Sequence, residues 1–361
     1  MVSAALLPLP VGAQSRVELK GSLGLVEAYD DNLFYRSSNR DEDFISRLSG
    51  SAGVRYRSPT LRVLAQGALD AEAYRFHPEL NTSAAAQAWG LDLGWTASKR
   101  WSAVANASYM AAQTSGQLNT LTGLETGRFP ARRVSTAESL SYRVGVLTTA
   151  TVEHAFTNEK FADHPATEVQ AAGLTLRRRL GPVDEGRLRY GARRFAVGPD
   201  ITLSHVVTLG WSRDVTPAVR FEADAGPRAT DRRVGAEVAA GFRYRSARSE
   251  AALDYQHTQT TVVGQPGPVT AEGVTATFRR HVRSSLRLGA GVSAFVVGAQ
   301  GARITVHRTN LDAGWRIARP LWLVASHQLS FQYGEPGLNQ AAAAEVNHNT
   351  FWLSLAVGTA N

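Results

Sequence analysis

From Arg16 onward the chain alternates apolar and polar residues in stretches of roughly ten, broken by short turns or polar loops, with no helical period. Phe44, Leu48, Ala52, Val54 and Tyr56 take one parity; Arg47, Ser49, Ser51, Gly53, Arg55 and Arg57 take the other. In an extended strand those two sets point to opposite faces, one greasy and one polar or charged. Sustained over a whole chain, the pattern predicts an all-β fold, a transmembrane antiparallel β-barrel with lipid outside and water inside. A soluble β-sandwich also alternates, but Tyr56, Trp95, Trp101, Trp211, Tyr244, Trp315 and Trp322 lie beside short turns. That placement fits an aromatic girdle at the periplasmic interface, where an amphipathic ring is stable.

Mean hydropathy is −0.19, as expected of a wall in which only half the residues need be apolar. Beyond the N-terminus no apolar run approaches the ~18 residues a membrane helix needs. The absence of cysteine suits an oxidising compartment and excludes Cys-ligated zinc or iron–sulfur chemistry. Net charge is +8, and of 39 basic residues only Lys20, Lys99 and Lys160 are lysines. The arginines are spread along many strands, which argues against nucleic acid as a partner. Residues 4–14 resemble the apolar core and small-residue cleavage site of a secretory signal, so 1–15 are read as a signal peptide or its remnant and 16–361 as one bacterial outer-membrane barrel.

Pro, Gly and Ser mark the tight reversals: Ser58-Pro59-Thr60, Ser98-Lys99-Arg100, Thr148-Thr149, Gly181 to Gly186, Val215-Thr216-Pro217, Ser246-Ala247-Arg248, Arg283-Ser284 and Arg319-Pro320. More variable loops fall near 30–41, 77–83, 113–134, 157–165, 197–200, 226–232, 260–269, 298–302 and 334–344. Eight turns and nine loops imply 18 strands with both ends on the periplasmic side, 16 being the alternative count. Short turns are expected to face the periplasm and the longer loops the outside.

With the polar parity assigned to the interior, the candidate lumen-lining residues are Arg47, Arg55, Arg57, Arg177, Arg179, Arg187, Arg189, Arg220, Arg233, Arg243, Arg245, Arg279, Arg287 and Arg316. Each would cost about 2–4 kcal/mol facing lipid near the midplane, so the parity itself argues that they line water. Glu18, Glu72, Glu153, Glu222, Asp224, Glu237 and Asp254 share that parity and could pair across strands to stiffen the wall. The excess of arginine over acid would focus a positive potential in the tube and favour anions. Many of the arginines lie close to the short turns, where they would ring the periplasmic mouth.

No catalytic constellation stands out. None of the nine histidines makes an HExxH or a paired metal-ligand spacing. Ser204 and His205 are adjacent in a strand and point to opposite faces, so they cannot act as a nucleophile–base pair within it. The chain is therefore read as a non-enzyme without cofactor or metal.

The opening hairpin reads Ala28-Tyr29-Asp30-Asp31-Asn32-Leu33-Phe34, then Asp43-Phe44-Ile45. It resembles the first hairpin of outer-membrane barrels encoded in exopolysaccharide loci, of the exosortase-associated and myxobacterial polysaccharide-export types. The motif covers about twenty residues; the remainder matches by length and strand layout alone. The resemblance implies a monomeric, terminal conduit for a secreted exopolysaccharide, and the arginine excess of the lumen suggests that the polymer is anionic. Its partners would be outer-membrane lipid, a periplasmic export protein and inner-membrane polymerase and co-polymerase components. The alternative is a diffusion porin for small anionic solutes, which needs a constricting inward loop. Residues 113–134, with Gly116, Gly123, Gly127 and Pro130, are long enough to supply one, gated by Arg128, Arg132 and Arg133. A third class is a non-transporting barrel whose loops bind a partner.

Overall fold

A computed structural model describes residues 15–114, 118–119, 122–125, 127–162, 164–231, 233–263, 267–299, 302–334 and 345–358. Residues 1–14 and Gly116 lie outside the described residues. The strands of the first half are β1 (Arg16–Asp30), β2 (Asp43–Arg57), β3 (Leu61–Tyr74), β4 (Thr82–Thr96), β5 (Trp101–Ala112), β6 (Ala131–Arg143), β7 (Thr148–Phe161), β8 (Thr167–Arg179) and β9 (Asp184–Val197). Those of the second are β10 (Asp200–Thr216), β11 (Val219–Thr230), β12 (Arg233–Arg245), β13 (Ser249–Thr261), β14 (Pro268–Arg283), β15 (Leu286–Ala299), β16 (Ala302–Arg316), β17 (Leu321–Gly334) and β18 (Glu345–Gly358). Among the described residues the one helical element is a 3-10 turn at Pro78–Leu80.

Each strand pairs antiparallel with its neighbours in sequence, and β18 pairs back onto β1 from Ser22↔Gly358 to Asp30↔Thr350. The 18-stranded sheet is therefore closed and has no edge to protect. The period-2 pattern determines which face is which. Large apolar side chains such as Leu23 and Leu25 on β1, or Leu203, Val207 and Leu209 on β10, stand exposed on the outer face. Inward residues meet across the tube, as when Arg193 on β9 donates to the Gln259 carbonyl on β13 at 3.0 Å.

The strands run further than the alternation suggests. Residues 131–134, 157–161 and 226–230 are strand, not loop, and Thr148-Thr149 opens β7 after a turn at 144–147. Once a strand rises beyond the hydrocarbon, polar residues are tolerated on both faces and the alternation fades. Trp322 is also corrected. Its register partner is Arg316, on the inward parity, so it does not belong to the outer girdle.

Close strand approach explains one glycine. A Cβ on Gly226 would run into the Val207 carbonyl of β10 and lie 2.8 Å from the Thr208 Cα. Both obstacles are backbone, so the strands themselves must separate. Gly226→Ala is expected to destabilise the barrel by about 2 kcal/mol, seen as a lower urea midpoint in refolding from detergent. An unchanged midpoint would show that β10 and β11 part freely there.

Candidate functional site

The lumen is built from inward-facing side chains and from connections that fold back into it. Inward positions near the outer end turn apolar instead of polar. Val269 on β14, Phe295 and Val297 on β15, and Ile304 and Val306 on β16 form a buried cluster with Leu124 and Val262 from two loops. A second cluster joins Ala28, Ile45, Tyr74 and Trp352 of the wall to Leu33 and Phe34 of the β1–β2 loop and to Leu80. A third places Leu118 against Ala131, Phe161 and Val263. The outer half of the tube is thus partly filled by a hydrophobic interior.

The described residues of the β5–β6 connection, within residues 113–130, lie in this space and are fastened to the wall on two sides. Asn119 donates to the Val263 carbonyl at 3.2 Å and accepts from the Val263 amide at 2.7 Å. Glu125 pairs with Arg308 on β16 at 2.8 Å, and its backbone exchanges two 3.1 Å hydrogen bonds with the Gln332 amide group on β17. Arg308 also donates to the Gly123 carbonyl at 3.2 Å. On the other side Arg128 reaches β3, where its guanidinium lies 4.7 Å over the Tyr74 ring, donates to the Tyr74 hydroxyl and sits 3.6 Å from Glu72.

The three arginines assigned to the constriction have different fates. Arg128 belongs to the loop and enters the lumen. Arg133 lies in β6, where it pairs with Glu159 at 2.6 Å and holds the Leu118 carbonyl at 2.6 Å, so it anchors the loop from the wall. Arg132 lies in β6 with outward parity and does not reach the constriction, because the strand begins at Ala131 and alternation carries the neighbour outside. The sequence reading missed Asn119, Glu125, Arg308 and Gln332. One signal could have exposed them: inward positions 269, 295, 297, 304 and 306 are apolar, and an apolar inner wall must be covered by something.

Below the loop, the wall arginines divide into two populations. One pairs with carboxylates across strands: Arg187 with Asp224 at 2.5 Å, Arg189 with Glu153 at 3.3 Å, and Arg193 and Arg228 with Glu237 at 2.7 and 3.0 Å. Arg187, Arg189 and Arg193 border a recess of about 620 Å³ lined by strands from β5 to β13. Gly210 permits this packing, since a Cβ there would strike Asp224 and crowd the Arg187 Nε at 3.0 Å. Arg47 pairs with Glu72, Arg55 with Glu18, Arg220 with Asp214, Arg243 with Asp254 and Arg245 with Glu250.

The second population has no carboxylate partner among the described residues. It comprises Arg57, Arg177, Arg179, Arg279, Arg287 and Arg316 of the sequence-derived set, together with Arg62 and Arg143, all within a few residues of the short turns. Arg57 stands directly opposite both Arg16 and Arg62, and Arg177 opposite Arg187. Like charges in register oppose folding. Arg287 and Arg316 stack on the Trp322 indole at 4.6 and 5.9 Å. Arg233 also lacks a carboxylate partner among the described residues but lies at the outer end.

Severing one tether measures what holds the loop. Arg308→Met leaves Glu125, itself 8% exposed, without its guanidinium. Removing one partner of a buried pair costs about 3 kcal/mol. The loop should detach, giving protease cleavage between residues 113 and 130 that the parent resists. Equal resistance would show that the remaining contacts suffice.

On the outside, a band of exposed Leu, Val and Ala encircles the wall between two aromatic levels. Trp95, Trp101, Trp211, Tyr244 and Trp315 stand exposed beside the short turns, with Phe44, Phe331 and Tyr333 towards the other end. In water so much exposed apolar surface would drive aggregation; against hydrocarbon between two interfaces it is stable. The chain is a bacterial outer-membrane β-barrel.

No family model matches this barrel, and no curated protein does. Among solved structures it is similar to Pseudomonas aeruginosa OccK3 (OpdO), at 14% identity over 95% of this chain and 96% of that one, with a TM-score of 0.48. It is also similar to Acinetobacter baumannii OccAB4, at 9% identity over 95% and 98%, TM-score 0.47. A third is Pseudomonas aeruginosa OccK2 (OpdF) in complex with glucuronate, at 12% identity over 95% and 99%, TM-score 0.45. Likeness at these identities and scores carries neither activity nor substrate.

Proposed function

We propose that this barrel is a diffusion channel selective for small anionic solutes. One observation carries the reading: the loop from Gly123 to Arg128 is tied across the lumen to β16 and β17 on one side and β3 on the other. A conduit for an extended polymer needs an unobstructed bore, and ion pairs with buried apolar clusters at the outer half work against one. A loop held rigidly inside the tube instead narrows it to a size filter.

Charge supports the anionic preference. The paired arginines are largely neutralised by their carboxylates, whereas those beside the short turns without a carboxylate partner among the described residues leave net positive potential where a solute enters or leaves the periplasm. Guanidinium forks suit carboxylate and phosphate groups. Polysaccharide export, suggested by the opening hairpin, stands as the second reading; it requires the tethered loop to be displaced in the working state.

Two measurements separate them. Proteoliposomes containing the pure chain should take up small monocarboxylates faster than neutral sugars of equal size and exclude oligosaccharides. Deletion of the gene should leave surface polysaccharide unchanged. Loss of surface polymer on deletion, or no preference for anions in the liposomes, would overturn the proposal.

A further inference from the structure

One stretch of the outer wall does not look like a lipid-facing surface. On β6 and β7, Glu138 and His154 are register partners with outward parity, their side chains are 49% and 57% exposed, and His154 Nδ1 lies 2.9 Å from Glu138 Oε2. Their height follows from the register. Tyr109 stands opposite Val134, four residues above Glu138, and Trp101 stands opposite Tyr142, four residues below it. The pair is therefore midway between the two aromatic levels, about 13 Å from each along the tilted strands and about 10 Å in height.

Around the pair the side chains are small. Ala105 is the register partner of Glu138 on β5, and Ala172 then Ala192 continue the row on β8 and β9. Beside it lies a depression of about 550 Å³ with Ala107 and Thr136 in its floor and Trp89, Leu91, Tyr109 and Val134 on its rim. On the other side of the barrel the same height presents Val292 and Leu311, exposed and apolar. A carboxylate at the membrane midplane with only acyl chains to solvate it is costly, and ionisable groups there ordinarily meet protein or water.

We propose that this face of β4–β8 seats a second copy of the chain. The patch is self-complementary: it carries an anionic acceptor and an imidazole donor side by side. A two-fold axis between copies would set Glu138 of each against His154 of the other, as an isologous interface requires. The shallow alanine row allows the two walls to approach closely, and the two-fold sets the β4–β5 side of one copy over the Ala172–Ala192 side of the other. An acyl chain fills the depression but gives Glu138 and His154 no polar partner beyond each other, which is why lipid is the poorer occupant.

The chain lacks cysteine, so the test needs no background removal. Thr136→Cys and Leu140→Cys, the outward neighbours of Glu138 on β6 and so next to the two-fold, are introduced singly in the full chain, with Val292→Cys on the opposite wall as control, and intact outer membranes are oxidised. A disulfide-linked species of twice the chain's mass is expected from either patch cysteine and not from the control. Adding Glu138→Leu and His154→Leu should abolish that species while the protein keeps the gel mobility of a folded barrel. The unmodified protein should have a dimer's mass by light scattering in mild detergent. A monomer mass without cross-linking at either patch position would overturn the proposal. So would a cross-linked product of any other mass, or a dimer band that survives the leucine substitutions.

Discussion

Excising the inward loop, by joining Thr114 to Phe129 through a short glycine linker, should raise single-channel conductance about fivefold, because an 18-strand tube without an obstruction is a wide aqueous pore. Cutting the loop removes the Glu125–Arg308 pair, the Gln332 contacts and the Arg128–Tyr74 stack together. The wall should survive, since all 18 strand pairings lie outside the excised residues. The apolar inner patch formed by Val269, Phe295, Val297, Ile304 and Val306 would then face water, so a modest loss of thermal stability should accompany the gain. Planar-bilayer recording of parent and deletion gives the answer. Equal conductance would mean that current never passes the loop, and the constriction would have to be sought elsewhere.

The second large effect concerns the periplasmic mouth. Replacing Arg57, Arg62, Arg177 and Arg179 together with glutamine should lower the anion-to-cation permeability ratio about tenfold at 0.1 M salt, equivalent to about 1.4 kcal/mol. These four have no carboxylate partner among the described residues, so their charge projects into the pore instead of closing on the wall. The same change should almost vanish at 1 M salt, where the screening length falls from about 10 Å to about 3 Å. Reversal potentials at both salt concentrations test this. A ratio that does not move at low salt would place selectivity in the cross-strand pairs, such as Arg187–Asp224 and Arg193–Glu237.

Period-2 alternation, turn residues and the cost of charge in hydrocarbon were enough to read a closed barrel, its strand number and which residues look inward. Those are local properties, because in a strand the neighbour one residue away determines the face. Strand ends blurred for the same reason: above the membrane both faces meet water, and Arg132 no longer reports its environment. What the lumen contains could not be read locally. The β5–β6 loop is fastened by Val263, Arg308, Gln332 and Tyr74, residues brought together only when the sheet closes on itself. Which arginines are neutralised was likewise decided by register between strands, as with Arg193 and Arg228 meeting at one Glu237. Alternation thus placed the charges inside, and closure determined which remain free and how much of the bore is left for them to act on.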